Sequence, residues 1–429
     1  MTPMPASSQS RPFQRLCVIG LGYVGLPTAA VFASRGLQVI GVDVNEEAVR
    51  RINKGEIHIV EPELDIMVSA AVSAGKLSAG TKPAPADAFI IAVPTPFMAG
   101  HKPDLTYVEA ATRALAPVLA KGNLVVVEST SPVGTTEQVS AWLAEERPDL
   151  SFPHEKGDGA DINVAHSPER VLPGQVLLEL VRNDRVVGGV SAACAARTAA
   201  LYAQAIAGQC LITNARTAEL VKLAENAYRD VNIAYANELA RVSESLDIDV
   251  WDVVRLANRH PRVSILNPGP GVGGHCIAVD PWFIVDSVPD KTPLIQAARA
   301  VNDARPSEVA DRALKAAADL RAAGKANPVI ACLGLAYKPD IDDLRESPAV
   351  DVAALLAKAV PGSVLVVEPM TGQLPDELAE LDGLRQVDLD RALEDADVIV
   401  LLVDHAPFRA LDRGRLAGKA VIDTRGIWR

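Results

Sequence analysis

The turn G-L-G-Y-V-G at Gly20–Gly25 limits the possible folds of this chain more than any other stretch. A short apolar strand, Leu16–Gly20, leads into the turn, and an Ala-rich apolar run, Leu26–Ala33, follows it. A second strand, Gln38–Asp43, ends in an acid eighteen residues after Gly25. This order of strand, glycine turn, helix, strand and acid is the dinucleotide-binding fingerprint. It predicts an α/β fold with a doubly wound parallel sheet.

Each residue of the fingerprint has its own task. Gly20 permits the tight turn, Gly22 lets a pyrophosphate approach the backbone, and Gly25 permits close helix packing. The amino end of the following helix holds the phosphates. Asp43 can accept a hydrogen bond from a ribose 2′-hydroxyl and would repel a 2′-phosphate, so the predicted cofactor is NAD rather than NADP.

Four more apolar strands continue the alternation of strand and helix, at Ala88–Val93, Leu124–Glu128, Ile162–Ala165 and Arg185–Val190. Functional loops of such sheets follow the carboxyl ends of the strands. Three candidate loops stand there, P-T-P at Pro94–Pro96, E-S-T-S-P-V-G at Glu128–Gly134 and S-P-E-R at Ser167–Arg170. Taken singly, each is also compatible with ordinary turn chemistry, because Pro, Ser and Thr favour turns.

A run without Gly or Pro, Thr217–Leu246, predicts one long helix. A polar stripe recurs along it at three- and four-residue spacing, formed by Glu219, Lys222, Asn226 and Arg229. The stripe is either functional or a solvated charged face. The segment Val250–Asn302 adds more helix.

The pattern of strands and helices restarts near residue 324. Strands at Val329–Gly334, Val364–Glu368, Val398–Val403 and Lys419–Asp423, with a helix at Ala349–Ala359, predict a second, smaller α/β domain. It lacks the glycine fingerprint and therefore takes a different ligand. The predicted organisation is a loose tail at 1–11, an NAD-binding domain at 12–212, a central helical domain at 213–323 and a C-terminal domain at 324–429.

The cysteine loop, P-G-P-G-V-G-G-H-C-I-A-V-D-P-W-F at Pro268–Phe283, places a lone thiol, Cys276, after four glycines. A carboxylate, Asp280, follows four residues later. A helix that begins near Cys276 would favour its thiolate and put Asp280 on the same face. The alternative is a small buried apolar cysteine. The adjacent His275 is a poor chelating partner, so no metal site is predicted.

Composition limits the compartment and the partners. The net charge of −12 and the pI near 5.2 argue against non-specific binding to nucleic acid or an anionic membrane. The five cysteines are scattered without a C-x-x-C pair, which suits a reducing cytoplasm. No apolar run is long enough to span a bilayer, and the polar residues Met1–Arg11 are interpreted as a tail rather than a signal peptide.

Five motifs, in this order, resemble the UDP-glucose/GDP-mannose dehydrogenase family along nearly the whole chain: G-L-G-Y-V-G-L-P, E-S-T-S-P-V-G, S-P-E-R-V-L-P-G, G-G-H-C-I-A-V-D-P and G-L-A-Y-K-P-D-I-D-D-L-R-E-S-P. Four stretches together resemble the branch that oxidises UDP-N-acetyl-D-mannosamine: V-P-T-P-F, S-P-E-R-V-L-P-G-Q-V, R-L-A-N-R-H-P-R-V and G-H-C-I-A-V-D-P-W-F-I-V. The resemblance implies two Rossmann-like domains joined by a long central helix. It also implies a cytoplasmic, NAD-dependent, four-electron oxidation of the C6 alcohol of a UDP-sugar, for surface polysaccharide.

The resemblance also assigns roles to individual residues. The implied catalytic residues are Cys276, Lys222, Asn226, Asp280, Thr130 and Glu169. The implied NAD contacts, besides Gly20, Gly22 and Gly25, are Tyr23, Val24, Asp43, Thr95, Thr136 and Arg345. The implied substrate contacts are Arg170, Val171, Lys222, Asn226, Arg229, His260, Arg262, Gly273, Tyr337, Lys338 and Arg425. His260 and Arg262 are implied to reach the site of a neighbouring subunit, so a homodimer or higher oligomer is expected.

Two positions depart from the family pattern. Pro173 stands where the UDP-glucose branch has a second glutamate, and Arg425 stands where close relatives have a lysine. The alternatives are the same chemistry on UDP-glucose, UDP-N-acetylglucosamine or GDP-mannose, a non-catalytic nucleotide-sugar-binding protein, and a two-electron hydroxyacid dehydrogenase. The last would leave the cysteine loop and the second α/β domain unexplained.

Overall fold

The computed structural model describes residues 13–59, 61–98, 100–171, 174–274 and 276–429. The tail predicted at 1–11 lies outside the described residues, as do Pro173 and His275. The chain divides into two compact units, Met1–Ala224 and Glu225–Arg429. None of the described helices combines the length and the apolarity needed to cross a membrane.

The described residues of the first unit form ten strands and eight α-helices. The strands are β1 (Arg15–Ile19), β2 (Gln38–Val42), β3 (Leu77–Gly80), β4 (Ala88–Ile91), β5 (Phe97–Met98), β6 (Lys102–Pro103), β7 (Leu124–Val127), β8 (Asn163–His166), β9 (Arg185–Gly189) and β10 (Cys210–Asn214). The helices are α1 (Gly25–Ser34), α2 (Glu46–Asn53), α3 (Leu64–Ser73), α4 (Thr106–Leu115), α5 (Thr135–Glu146), α6 (Pro153–Lys156), α7 (Val176–Arg182) and α8 (Ala192–Tyr202).

Eight of these strands form one sheet in the order β10-β9-β8-β7-β4-β1-β2-β3, and β5 pairs with β6 in a separate ribbon. Alternate residues of β1 point to opposite faces, so Leu16 and Val18 pack in one core while Cys17 and Ile19 pack in the other. Helix α1 belongs to the first core, and α4 and α5 belong to the second. The predicted sheet with helices on both faces is confirmed.

The direction of β9 differs from the fully parallel prediction. It pairs antiparallel with β8, although β10 then pairs parallel with β9. The buried guanidinium of Arg185, the first residue of β9, contacts Glu128 and Ser167 just beyond the ends of β7 and β8. Since β9 must start at the edge where β7 and β8 end, it runs back across the sheet.

Four helices lie between the two sheets in sequence: α9 (Ala215–Ser245), α10 (Val250–Ala257), α11 (Asp280–Ser287) and α12 (Pro293–Ala322). The predicted long helix is confirmed as α9, which begins in the first unit and continues into the second.

The helix predicted to start near Cys276 begins instead at Asp280. The N–H groups of Val279 and Asp280 both donate to the carbonyl of Cys276, at 3.1 and 2.8 Å, and form a turn ahead of the helix. Pro281 has no N–H to donate to the carbonyl of Ile277, so the helical ladder does not extend back to the cysteine. The thiol therefore lies one turn before α11.

The second sheet consists of β11 (Ile330–Leu333), β12 (Val364–Val367), β13 (Leu384–Gln386), β14 (Val398–Leu401) and β15 (Ala420–Asp423). All are parallel, in the order β13-β12-β11-β14-β15. The accompanying helices are α13 (Pro348–Ala359), α14 (Asp376–Ala379), α15 (Leu389–Asp395) and α16 (Ala406–Arg409). The predicted second α/β fold is confirmed.

Candidate active site

Five neighbouring parallel strands of the first unit end at one edge of the sheet. In spatial order these are β8, β7, β4, β1 and β2. Glu169 follows β8, Thr130 follows β7, Thr95 follows β4, the glycine turn follows β1 and Asp43 follows β2. The topology therefore collects these predicted site residues along the edge where ligands of such sheets bind.

Packing requires glycine at two positions of the turn, whereas the third position has free space beside its Cα. A Cβ at Gly20, where φ is +91°, would lie 2.4 Å from the carbonyl oxygen of Ala92, and a Cβ at Gly25 would lie 1.8 Å from that of Gly20. A Cβ at Gly22 would meet no described atom within 4 Å. The side chain of the N-cap residue Val24 makes no capping hydrogen bond to α1. The open backbone and uncapped helix end provide the place that a pyrophosphate needs.

Asp43 is held beside this turn by the backbone. Its Oδ2 accepts from the N–H of Leu21 and its Oδ1 from the N–H of Asn45, both at 2.9 Å. A carboxylate has about four acceptor positions, so two remain for ribose hydroxyls. The residues of the turn, with the exposed Tyr23 between them, thus fit NAD.

Glu219 has a function that the sequence did not reveal. Its carboxylate accepts from the N–H of Gly134 at 2.6 Å and from the N–H and hydroxyl of Thr136 at 2.7 and 2.6 Å. It therefore caps the amino end of α5 and fixes the predicted NAD contact Thr136. Burial raises the pKa of Glu219 above its usual value, although these hydrogen bonds oppose the shift. The first residue of the polar stripe is thus buried rather than solvated.

A buried ionic cluster lies behind the ends of β7 and β8. Glu128 pairs with Arg185, accepts from the hydroxyl of Tyr202 at 2.6 Å and accepts from that of Thr28, in α1, at 3.3 Å. These contacts connect α1, the helix of the fingerprint, to the residues that follow β7. The sequence placed Glu128 in a candidate loop but carried no signal for its partners.

Glu169 and Lys222 face the same buried region of the first unit. Burial raises the pKa of Glu169, while the N–H of Val171, which donates to its Oε2 at 2.8 Å, and the charge of Lys222 oppose the rise. Lys222 is only 9% exposed. The neighbouring His166 is fully buried, and burial, with the charges of Arg185 and Lys222, lowers its pKa to about 3. Arg170, next to Glu169, donates to the carbonyl of Asp184 at 3.2 Å.

In the second unit Cys276 is exposed, which excludes the alternative of a small core cysteine. Asp280 is 2% exposed and its Oδ2 accepts from the Nδ2 of Asn226 at 2.5 Å. An amide nitrogen has two N–H groups, so one remains for a ligand oxygen. The structure therefore brings the predicted carboxylate and amide together, one turn from the thiol.

The segment Leu335–Pro348, called here the nucleotide loop, packs against the cysteine loop. The N–H of Gly274 donates to the carbonyl of Glu346 at 3.2 Å, and a Cβ at Gly274 would lie 2.9 Å from the ring of Tyr337. A Cβ at Gly273 would lie 2.3 Å from the same carbonyl oxygen. Both glycines are therefore needed for this contact, which sets Tyr337 beside the cysteine loop.

The other predicted ligand contacts of the second unit have basic side chains. Arg425 donates to Asp404 at 2.9 Å, and its Nη1 lies 2.9 Å from where a Cβ of Gly269 would stand. The guanidinium of Arg345 pairs with Asp343 at 2.8 and 2.7 Å. Lys338 is half-buried, whereas Arg229, His260 and Arg262 are exposed. No set of three His, Cys, Asp or Glu side chains in the described part of the chain is placed to hold a metal.

The first unit has the sheet, turn and acid of an NAD-binding domain, and the second has an exposed thiol beside a buried carboxylate–amide pair. These features define an NAD-dependent dehydrogenase. Three domain models of one family match the chain in order: the NAD binding domain at residues 14–206, the central domain at 216–304 and the UDP binding domain at 331–429. The chain belongs to the UDP-glucose/GDP-mannose dehydrogenase family.

Individual relatives are similar over nearly their whole length. The chain is 59% identical to the UDP-N-acetyl-D-mannosamine dehydrogenase of Yersinia pestis, covering 97% of this chain and 100% of the relative. It is 58% identical to the NDP-N-acetyl-D-galactosaminuronic acid dehydrogenase of Ralstonia nicotianae, covering 97% and 96%. The solved UDP-D-ManNAc dehydrogenase of Pyrococcus horikoshii is 38% identical, with a TM-score of 0.86 and coverage of 97% and 96%.

Proposed function

We propose that this enzyme oxidises UDP-N-acetyl-D-mannosamine at C6 to UDP-N-acetyl-D-mannosaminuronate through covalent intermediates on Cys276. The observation that carries the proposal is the exposed thiol one turn ahead of the buried Asp280–Asn226 pair. The full-length similarity to UDP-N-acetyl-D-mannosamine dehydrogenases supports the choice of substrate. The product is an aminouronic acid of the kind used for surface polysaccharide, made in the cytoplasm.

NAD, when bound, accepts a hydride from C6 in each of two oxidations, so two NAD⁺ and one water are consumed per sugar, and two NADH and three protons are released with the carboxylate. The Cys276 thiolate adds to the aldehyde carbon, a C–S bond forms, and the aldehyde oxygen takes a proton to give a thiohemiacetal. Loss of a hydride and the hydroxyl proton gives a thioester. Attack by water then breaks the C–S bond and returns the thiolate.

The other proposed catalytic residues interact with oxygen atoms of the substrate and of the attacking water. The ammonium of Lys222 and the remaining N–H of Asn226 stabilise negative charge on the substrate oxygen. Asp280, with Thr130 and Glu169, orients the attacking water and accepts its proton. The burial of Lys222 and Glu169 within the first unit, and of Asp280 within the second, supports these roles, because electrostatic interactions are stronger where water is excluded.

A second candidate substrate differs in the sugar. The similarity to an NDP-N-acetyl-D-galactosaminuronic acid dehydrogenase, at 58% identity, favours a nucleotide-linked N-acetylgalactosamine almost equally. Both candidates use the same chemistry at C6. Turnover on the two sugars, with UDP-glucose and UDP-N-acetylglucosamine in parallel, separates them.

The test of the proposal is the amount of NADH formed per mole of sugar consumed. We expect two NADH with UDP-N-acetyl-D-mannosamine, and loss of acid formation in Cys276→Ser. The matched control is Cys210→Ser, because Cys210 is a half-buried thiol of the first unit and burial raises its pKa. One NADH per sugar, or full turnover by Cys276→Ser, would overturn the covalent mechanism.

The proposed assembly is a homodimer or a higher homo-oligomer. An apolar stripe with seven-residue spacing lies on α9, where Tyr228, Tyr235 and Val242 are 69%, 53% and 47% exposed. A second copy of the chain would cover it. We also propose that the domains are 12–212, 213–323 and 324–429, which the three family matches support.

A further inference from the structure

The dipeptide Asp404–His405 lies between β14 and α16 and belongs to none of the motifs used above. His405 is fully buried, and its ring stands edge-on to that of Phe408, with the centroids 5.7 Å apart. Both of its nitrogens nevertheless have partners, and both partners lead to the nucleotide loop. A buried histidine with two specific contacts to one loop suggests that it sets the conformation of that loop.

The geometry fixes the tautomer of His405. The backbone N–H of Asp340 lies 2.9 Å from Nδ1, and a backbone N–H can only donate. Nδ1 therefore accepts and carries no proton. The proton of the neutral ring is on Nε2, which donates to Oε2 of Glu368 at 3.2 Å.

Glu368 connects the same ring to the start of the nucleotide loop. Its Oε2 also accepts from the N–H groups of Leu335 and Ala336, at 2.7 and 3.1 Å, and its Oε1 accepts from that of Met370 at 2.9 Å. Burial acts to raise the pKa of Glu368, but the hydrogen bonds from His405 and the backbone outweigh it and lower the pKa below its usual value. The carboxylate therefore remains an acceptor for every one of these donors.

Asp340 returns a hydrogen bond to the segment that holds it. Its Oδ1 accepts from the N–H of Ala406 at 2.7 Å, while its own N–H donates to His405. Its φ is +61°, which residues other than glycine adopt at an energetic cost, so the contacts with this segment must maintain the turn. The reciprocal pair fixes the middle of the nucleotide loop, two residues after Lys338.

The neighbouring Asp404 orients a second predicted ligand contact. It accepts from the Nε of Arg425 at 2.9 Å, and this hydrogen bond directs the guanidinium towards Gly269 of the cysteine loop. Asp404 thus bonds Arg425 directly, whereas His405 acts on the segment that contains Tyr337 and Lys338 through Glu368 before it and Asp340 after it. All three lie in the UDP binding domain of the family, at residues 331–429.

We infer that His405 is a positioning residue for nucleotide binding, whose Nδ1 holds Asp340 and so keeps Tyr337 and Lys338 in the conformation that binds the UDP part of the substrate. This inference rests on the proposed function. It assigns no contact between His405 and the substrate. His405 sets substrate affinity from behind the nucleotide loop.

Two conservative variants separate the two contacts of the ring. The shorter amide of His405→Asn reaches the position of Nδ1 and can accept from Asp340, whereas the longer amide of His405→Gln reaches the position of Nε2 and can donate to Glu368. UDP alone is the probe, titrated calorimetrically into each full-length variant, with the thermal unfolding midpoint measured in parallel. We expect UDP binding to weaken about tenfold in His405→Gln and to stay within about threefold of wild type in His405→Asn, since only the first leaves the Asp340 N–H unpaired.

The outcomes distinguish this inference from the proposed reaction. Equal UDP affinity in folded His405→Gln and wild type, or equal losses in both variants, would overturn the positioning role, as would a wild-type enzyme that binds no UDP. A purely structural role would lower the unfolding midpoints without separating the two affinities. If wild type binds UDP and the variants behave as expected, but turnover does not yield two NADH, the proposed reaction fails and the inference on His405 stands.

Discussion

His166 is the residue whose chemistry depends most on its surroundings. It is fully buried, neither ring nitrogen has a partner among the described residues, and its pKa is lowered to about 3 by burial and by the charges of Arg185 and Lys222. The unfolded chain binds a proton at this histidine near pH 6.5, whereas the folded chain does not. Its contribution to stability is therefore complete above pH 6.5 and is lost as the pH falls from 6.5 towards 3.

We expect His166→Leu to reduce the loss of unfolding free energy between pH 7.5 and pH 5 by up to roughly 2 kcal/mol, because the titrating ring is removed. Urea unfolding at the two pH values measures this. His166→Gln serves as the comparison, since it also removes titration but keeps a polar group. The same pH dependence in both variants as in wild type would show that His166 does not titrate in this way.

Single residues also show which parts of the site the sequence could predict. Cys276, Asp280 and Asp43 could be predicted because each lies at a short, fixed sequence distance from a glycine-rich segment. Such segments can be recognised from the local sequence alone. The hydrogen bonds of Glu219 and His405 could not be predicted, because their partners, Thr136 and Asp340, are more than sixty residues away in the chain. A contact at that separation leaves no periodicity and no spacing to detect.

At the scale of elements, two helices hold the start of the cysteine loop through one chain of amides. Asn237 in α9 donates to Oδ1 of Asn302 in α12 at 2.9 Å and accepts from the N–H of Gly269 at 2.9 Å. Pro306 lies inside α12 and has no N–H for the carbonyl of Asn302. That carbonyl faces Gly271, 3.4 Å from the position of a Cβ. The helices thus hold the glycines that precede the thiol.

We expect Asn237→Leu to lower the free energy of unfolding by about 2–4 kcal/mol, because two buried polar groups lose their partners. Chemical denaturation measures the loss. Asn232→Leu is the matched control on the same helix, because among the described residues the Nδ2 of Asn232 donates only to the local carbonyl of Tyr228, at 2.7 Å. It should change the free energy of unfolding by about 0.5 kcal/mol or less. Equal effects of the two substitutions would contradict the role given to Asn237.

The boundaries of helices and strands could be predicted where nearby residues determine them, whereas the direction of a strand in the sheet could not. The apolar strands β1 and β4 were predicted because each has four consecutive buried residues, which leave a clear apolar run in the sequence. The direction of β9 depends on Arg185 meeting Glu128, fifty-seven residues away, which no local pattern reports. The start of α11 was predicted one turn too early. The prediction was based on the glycines and Cys276, whereas Pro281 determines where the helix begins.

At the scale of the whole molecule, the sequence predicted two α/β sheets with helices between them, because strand and helix periodicities alternate twice. The exposed positions of His260 and Arg262 are compatible with a role in a neighbouring subunit. An experiment on mixed subunits distinguishes such a role from that of a solvated surface.

That experiment combines two inactive variants, Cys276→Ser and Arg262→Ala, unfolded and refolded together. If Arg262 completes the neighbour's site, each mixed dimer contains one site with both defects and one intact site. Random pairing should then restore roughly a quarter of wild-type turnover, since half of the dimers are mixed and each has one of two sites intact. If Arg262 serves its own subunit, every site carries a defect and mixing restores nothing. A variant with Tyr228 and Tyr235 both changed to Lys should abolish the restored activity together with the dimer, as measured by sedimentation, because the apolar stripe on α9, which we propose that a second copy covers, would then carry two charges.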